Sequence, residues 1–265
     1  MSHFWRAALF LHDGQVARPS RQIFAVSGIL HPPVGEPAPR RSALLDHAIS
    51  LTGVPVAKVC LVPTATGDQS QVIESFYTAV SDTEQVIPSH LQLFPRPNVD
   101  DVGAFLRDQQ LIWVTGGSVV NLLAVWRAHR VDVILRECWA AGVVLGGGSA
   151  GSICWHTSGV TDSFSERLDP VTDALGLLPY SNGVHHDLAD QPRRRRYLEC
   201  VASGDLPAGH ATDDGVGLHY VGTELVEAVS SLPGAGAYRV EPGERHGTVV
   251  ERSIPTRLIG AARRT

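Results

Sequence analysis

The sequence predicts an α/β fold, a mostly parallel sheet flanked by helices, and three observations point to it. Short apolar, β-branched runs alternate with segments of helical period. Two of those runs end in clustered glycines, at Gly116-Gly117 and at Gly146-Gly147-Gly148. The 265 residues are 43% hydrophobic and 18% charged, which suits a chain that buries a large core.

The elements follow in order. Residues 1–21 read as an N-terminal extension and residues 22–265 as one α/β domain. The apolar run Ala7 to Leu11 is too short for a leader, and His12-Asp13-Gly14 interrupts it. A first strand is expected at Gln22 to Ile29, followed by a Pro/Gly-rich loop at His31 to Arg40. Ser42 to Leu51 puts Leu44, Leu45, Ala48 and Ile49 on one helical face. A strand at Lys58 to Pro63 precedes a helix at Ser70 to Val80, and further strands are expected at Gln92 to Phe94 and Leu111 to Val114. Helices at Val119 to Ala128 and Asp132 to Ala141 lead to a strand at Gly142 to Leu145. After Tyr180 the pattern loosens. Strands at Gly215 to Tyr220, Leu225 to Ser230 and Ala237 to Val240 are expected to extend the same sheet, with a partly mobile tail from Arg252.

A net charge of −5 offers no basic field for nucleic acid or an anionic membrane. No segment has the apolar length of a bilayer span. Cys60, Cys138, Cys154 and Cys200 form no CxxC pair, so neither a zinc site nor a disulfide framework is indicated, and reduced, mostly buried thiols are expected. These features describe a soluble, cytoplasmic protein without a metal or organic cofactor, and leave a homodimer open.

The chemistry concentrates where Val143-Val144-Leu145 runs into Gly146-Gly147-Gly148-Ser149-Ala150-Gly151. A strand, a tight glycine turn and a short helix are the context of a nucleophile elbow, with Ser149 raised above the sheet edge and the Ala150 N–H facing a developing oxyanion. The same residues could instead form a plain strand-to-helix connection or a phosphate loop. No Lys-Ser/Thr pair follows the glycines, which disfavours a Walker loop. The run Leu111 to Val114 followed by Thr115-Gly116-Gly117-Ser118 brings a second glycine turn to the carboxyl edge, which makes Gly117 the second candidate oxyanion donor.

The ordered set Trp113-Val114-Thr115-Gly116-Gly117-Ser118, Asn121-Leu122-Leu123, Trp126-Arg127, Gly147-Gly148-Ser149-Ala150-Gly151-Ser152, Leu175 to Pro179 and Val184-His185-His186-Asp187 resembles the peptidase E and cyanophycinase family of serine peptidases. The resemblance runs from about Ile23 to Tyr238. It implies a class I glutamine amidotransferase-like fold, with Ser149 where an amidotransferase has Cys and His185 as general base. Here Ser118 stands where the family commonly has Asn, and Val184 and His186 flank the histidine in place of Pro and an aromatic residue. Successive side chains of an extended segment face opposite ways, so only one of His185 and His186 can face Ser149; motif register selects His185. The resemblance gives two positions for the orienting carboxylate, Asp162 first and Asp214 second. Asp213-Asp214-Gly215 also reads as an ordinary turn.

The family places Arg-x-x-Arg soon after the histidine, and Arg193 and Arg196 keep that spacing within Arg193-Arg194-Arg195-Arg196. A guanidinium fork suits a substrate carboxylate, although a solvated helix face would carry the same run. The resemblance implies hydrolysis of short peptides, dipeptides with N-terminal Asp in particular. A cyanophycinase-like hydrolase of β-aspartyl-arginine material and a catalytically idle binding protein on the same fold are the alternatives.

Overall fold

The computed structural model describes residues 20–28, 42–81 and 83–260. The expected loop at His31 to Arg40, most of the N-terminal extension and the end of the expected first strand lie outside the described residues. The chain runs β1 (Gln22–Val26), α1 (Ala43–Ser50), β2 (Ala57–Val62), a 3-10 turn (Thr64–Thr66), α2 (Ser70–Val80), β3 (Val86–His90), α3 (Val102–Arg107) and β4 (Leu111–Val114). It continues through α4 (Val119–His129), α5 (Val131–Ala140), β5 (Val144–Gly148), α6 (Ala150–Ile153), β6 (Ser158–Thr161), β7 (Asp169–Val171) and β8 (Ser181–Gly183). The last elements are α7 (Arg193–Ser203), β9 (Gly209–Thr212), β10 (Val216–Val221), β11 (Glu224–Ser230), β12 (Ala237–Pro242), β13 (Val249–Ile254) and β14 (Thr256–Leu258).

The larger sheet has the strand order β14-β11-β10-β1-β5-β4-β2-β3. From β1 to β3 every neighbour is parallel, and β10 and β11 continue the sheet antiparallel. Side chains alternate across the pleat, so each strand serves two cores. Phe24, Val26, Val59, Leu61, Leu111 and Trp113 pack with Leu44, Leu45 and Ala48 of α1 and Ile73, Phe76 and Val80 of α2. Ile23, Ala25, Cys60, Val62, Ile112 and Val114 face the other way, onto Leu106 of α3, Leu122 and Trp126 of α4, and Leu135 and Cys138 of α5. This mixed α/β architecture is the class the sequence predicts.

Three expectations are corrected. The strand expected at Gln92 to Phe94 is instead β3, because the Leu93 and Phe94 N–H groups donate to the Asp68 carboxylate at 2.5 and 3.0 Å and not to a neighbouring strand. The second half does not only extend the first sheet. β10, β11 and β14 do so, but a second sheet forms in the order β13-β12-β9-β8-β6-β7. Its strands β6 to β9 are three or four residues long, rich in Ser, Gly, Thr and Asn, and carry no apolar run to reveal them. Finally, the residues from Arg252 to Leu258, expected to begin a partly mobile tail, complete β13 and form β14, while residues 261–265 lie outside the described residues.

Candidate active site

Open α/β sheets gather ligands at the carboxyl ends of their strands. Here β1, β4 and β5 are followed immediately by Ser27, Thr115 and Ser149, while β8 and β9 of the second sheet lead to His185 and Asp214 two residues beyond their ends. The candidate site therefore forms where the two sheets meet.

Ser149 has φ +55° and ψ −111°, a conformation that costs a non-glycine residue on the order of 1–3 kcal/mol and is held only by strong surroundings. Those surroundings are visible. The Ser149 N–H donates to Val26 O at 2.9 Å, and its carbonyl accepts from Ser152 and Ile153 N–H. Gly151 lies so close to β4 that a Cβ there would fall 2.3 Å from Val114 O. Ala150 opens α6, so its N–H has no acceptor within the helix.

His185 Nε2 lies 2.9 Å from Ser149 Oγ, and His185 Nδ1 lies 2.5 Å from Asp214 Oδ1. The carboxylate fixes the tautomer: Nδ1 carries the proton it donates to Asp214, and Nε2 is left to accept from the serine hydroxyl. His185 also has a positive φ, +56°. Its N–H donates to Ser27 Oγ at 3.1 Å, and the Ser27 hydroxyl is itself within reach of Thr212 O and Oγ1 at 2.9 and 2.6 Å. Asp214 Oδ1 accepts a second hydrogen bond from Gly28 N–H at 2.9 Å, and Asp214 N–H donates to Asp187 Oδ1 at 2.8 Å. Burial alone would raise the Asp214 pKa. The hydrogen bond and charge of His185, the Gly28 N–H and the charge of Arg193 outweigh it, so the carboxyl is held below its usual range.

Asp162, the first of the two carboxylates the sequence offered, does not touch His185: its Oδ2 accepts from Arg193 Nη2 at 2.7 Å. The reason lies in strand order. β8 sits between β6 and β9, so Asp162, His185 and Asp214 all leave the same sheet edge. The histidine turns towards Asp214, and α7 supplies Arg193 to the other acid. His186 points away from Ser149, buried with its Nε2 at 2.6 Å from Glu251 Oε1.

The two arginines also part. Arg193 is buried, bonded to Gln191 Oε1 and Asp162 and close enough to act on the Asp214 charge. Arg196 turns away to Leu168 O at 3.0 Å. Opposite the histidine, Gly116 abuts Ser149: a Cβ on it would lie 3.2 Å from Ser149 Cβ. Gly117 follows with φ +131° and its Cα against Ala65 O, and Ser118 N–H donates to the same carbonyl at 2.8 Å. From Gly117 opens a cavity of about 670 Å³ lined by Thr64, Thr66, Gln69, Phe94, Asn121 and Val125 among others, with no charged side chain among the described residues of its wall. Ser27 and Gly28 were not singled out by sequence reasoning; small residues at the end of a central parallel strand are the signal that could have found them.

Among the described residues no cluster of His, Cys, Asp or Glu is arranged to hold a metal ion, and no helix is long and apolar enough to cross a membrane. The four cysteines are free and buried.

Fold and site together define an α/β protein with a serine, a histidine and a carboxylate in hydrogen-bond series at the edge of a parallel sheet. The chain belongs to peptidase family S51, whose model matches residues 36–228. It is 40% identical over 205 residues to the uncharacterized peptidase YgaJ of Bacillus subtilis (strain 168), covering 77% of this chain and 85% of that one. It is 30% identical over 133 residues to peptidase E of Shewanella denitrificans, covering 48% of this chain and 57% of that protein. Among solved structures, a peptidase from an acI-B1 Actinobacterium superposes with a TM-score of 0.62 at 16% identity, over 90% of this chain and 96% of that chain, which is a likeness of fold.

Proposed function

We propose that the chain is a serine-type peptidase that hydrolyses short peptides through an acyl-enzyme on Ser149. The observation that carries this is the unbroken series Ser149 Oγ, His185 Nε2, His185 Nδ1 and Asp214 Oδ1 at 2.9 and 2.5 Å. His185 takes the hydroxyl proton as Oγ attacks the scissile carbonyl, and Asp214 stabilises the imidazolium. The N–H groups of Gly117 and Ala150 stabilise the tetrahedral oxyanion. His185 then gives the proton to the leaving amine, and water repeats the sequence on the acyl-enzyme.

The preferred substrate is a dipeptide with N-terminal Asp. Arg193 is the arginine that faces the triad, and its pairing with Asp162 holds the guanidinium in place while leaving room for a second carboxylate on a fork of five donors. Arg196 has no part in this reading. A hydrolase of β-aspartyl-arginine material would want carboxylates to receive the substrate guanidinium, and the described residues of the wall beside Gly117 include none. An idle binding protein would leave Ser149, His185 and the carboxylate out of mutual reach. Four free, buried thiols suit a reducing compartment such as the cytoplasm.

The test is to incubate the protein with Asp-X, Glu-X and neutral dipeptides beside a β-aspartyl-arginine dipeptide and to detect free amino acids. Asp-X should be cleaved fastest, and Ser149→Ala should lose several orders of magnitude in rate with its fold intact. Retention of a tenth of the activity by that variant would remove Ser149 from the mechanism.

A further inference from the structure

The backbone alternates on both sides of the triad. His185 faces Ser149, and the next residue, His186, faces away from it; Asp214 faces His185, and the residue before it, Asp213, faces away from it. Both of these residues meet the β12–β13 hairpin, which lies beyond the residues 36–228 matched by the family model. His186 is buried, with a side-chain exposure of 1%, and its Nε2 lies 2.6 Å from Glu251 Oε1 on β13. Among the described residues its buried Nδ1 has no hydrogen-bond partner, so the proton sits on Nε2, where Glu251 accepts it and fixes the ring. Glu251 Oε2 in turn accepts from Arg194 of α7.

On the other side, Asp213 N–H donates to Gly236 O at 3.0 Å. Asp213 Oδ2 accepts from Gly236 N–H at 2.8 Å and from Tyr238 Oη of β12 at 3.1 Å. The Tyr238 ring also packs on the His186 ring with centroids 5.1 Å apart. One hairpin thus holds the neighbours of two triad members. His185 needs such a hold, because its positive φ is a conformation the chain does not keep unaided.

We propose that Glu251 and Tyr238 are positioning residues for the hydrolysis: they act through His186 and Asp213 to set the His185 imidazole on Ser149 Oγ. The inference rests on the serine-peptidase reading above. A displacement of an ångström at a catalytic group can cost on the order of a hundredfold in rate, whereas substrate contacts made elsewhere are untouched. Loss of the hairpin contacts should therefore lower kcat and leave KM nearly unchanged.

The experiment compares Glu251→Leu, Glu251→Gln, Tyr238→Phe and, as a control on the same strand, the outward-facing Arg252→Ala. Each is assayed for dipeptide kcat and KM and for the rate at which a fluorophosphonate labels Ser149, with thermal melting to report folding. Glu251→Leu should lower kcat and the labelling rate by about tenfold or more with KM within about twofold. Glu251→Gln, which keeps an acceptor for His186, should recover much of that loss. Tyr238→Phe removes a single hydroxyl and should lower both rates several-fold even if Glu251→Leu does not fold. Arg252→Ala should match the wild type. Wild-type kcat and labelling in folded Glu251→Leu or in Tyr238→Phe would overturn the proposal, as would a loss confined to KM. A wild-type protein whose Ser149 is not labelled at all would instead overturn the serine-peptidase reading.

Discussion

Replacing Asp214 by Asn asks how much of the rate comes from the charge behind the histidine. Both donors that meet this side chain, His185 Nδ1–H and Gly28 N–H, converge on the same oxygen, Oδ1. An asparagine can place its amide oxygen there and satisfy both, so the tautomer and ring orientation survive and the negative charge alone is lost. A unit charge about 4 Å from the imidazolium is worth about 4 kcal/mol at an effective dielectric of about 20. The Asp214 side chain is 29% exposed, so solvent screening reduces this to roughly 2–4 kcal/mol. The expected loss in kcat is about thirty- to a thousandfold. That is less than the roughly ten-thousandfold seen where the amide turns the wrong tautomer towards the serine. Asp162→Asn, which touches Arg193 and not the histidine, should leave kcat within a few-fold and act on KM. Steady-state kinetics on one Asp-X dipeptide with both variants decides the matter. If Asp162→Asn lost as much kcat as predicted for Asp214→Asn while Asp214→Asn stayed near wild type, the assignment of the orienting carboxylate would be refuted.

Three other perturbations have definite outcomes. Arg193→Ala should lower kcat/KM for Asp-X by about tenfold to a hundredfold and for Asn-X much less, with Arg196→Ala close to wild type, as competition kinetics on the two substrates would show. Gly117→Ala must push a methyl into Ala65 O, 2.3 Å away, so the oxyanion loop shifts and kcat should drop about a hundredfold or more while far-UV circular dichroism is unchanged. His156 is fully buried just after α6, with its Nδ1 2.9 Å from Ser152 O, and burial pushes its pKa down to about 4, against an ordinary 6.5. The unfolded chain therefore takes up this proton first, and stability present above about pH 6.5 is lost as the pH falls towards 4, on the order of 3 kcal/mol for this group. Denaturant unfolding across that range should show a shallower decline for His156→Asn than for the wild type.

The parts of the molecule legible in the sequence are those where one physical signal dominates. The strands β1, β2, β4 and β5 are apolar because helices cover both faces, and the elbow at Ser149 announces itself through glycines that close packing against Val114 requires. Of the second sheet only β12 was legible, as the strand expected at Ala237 to Val240 but assigned there to the first sheet; the short strands β6 to β9 draw their order from pairing with distant partners. The orienting carboxylate shows the same limit. Asp162 and Asp214 both follow strands at one edge, and the choice between them depends on where α7 sets Arg193, which no local pattern encodes. Asp213-Asp214-Gly215 does make a turn, as its composition suggests, and the turn is what presents one carboxylate to His185 and the other to the β12–β13 hairpin.

The central position of β1 has a consequence for when activity can arise. β1 precedes both of its neighbours in the chain, yet it pairs with β5 and β10, and Ser27 beside it reaches across 185 positions of sequence to Thr212. Contacts of such separation form late, because the loop must close before they contribute. A growing chain that has already made Ser149 still lacks Asp214 and the partner strand that seats it. The series Ser149–His185–Asp214 is thus assembled only once the segment that carries Thr212, Asp214 and β10 has docked on β1, and it is absent from a partial chain.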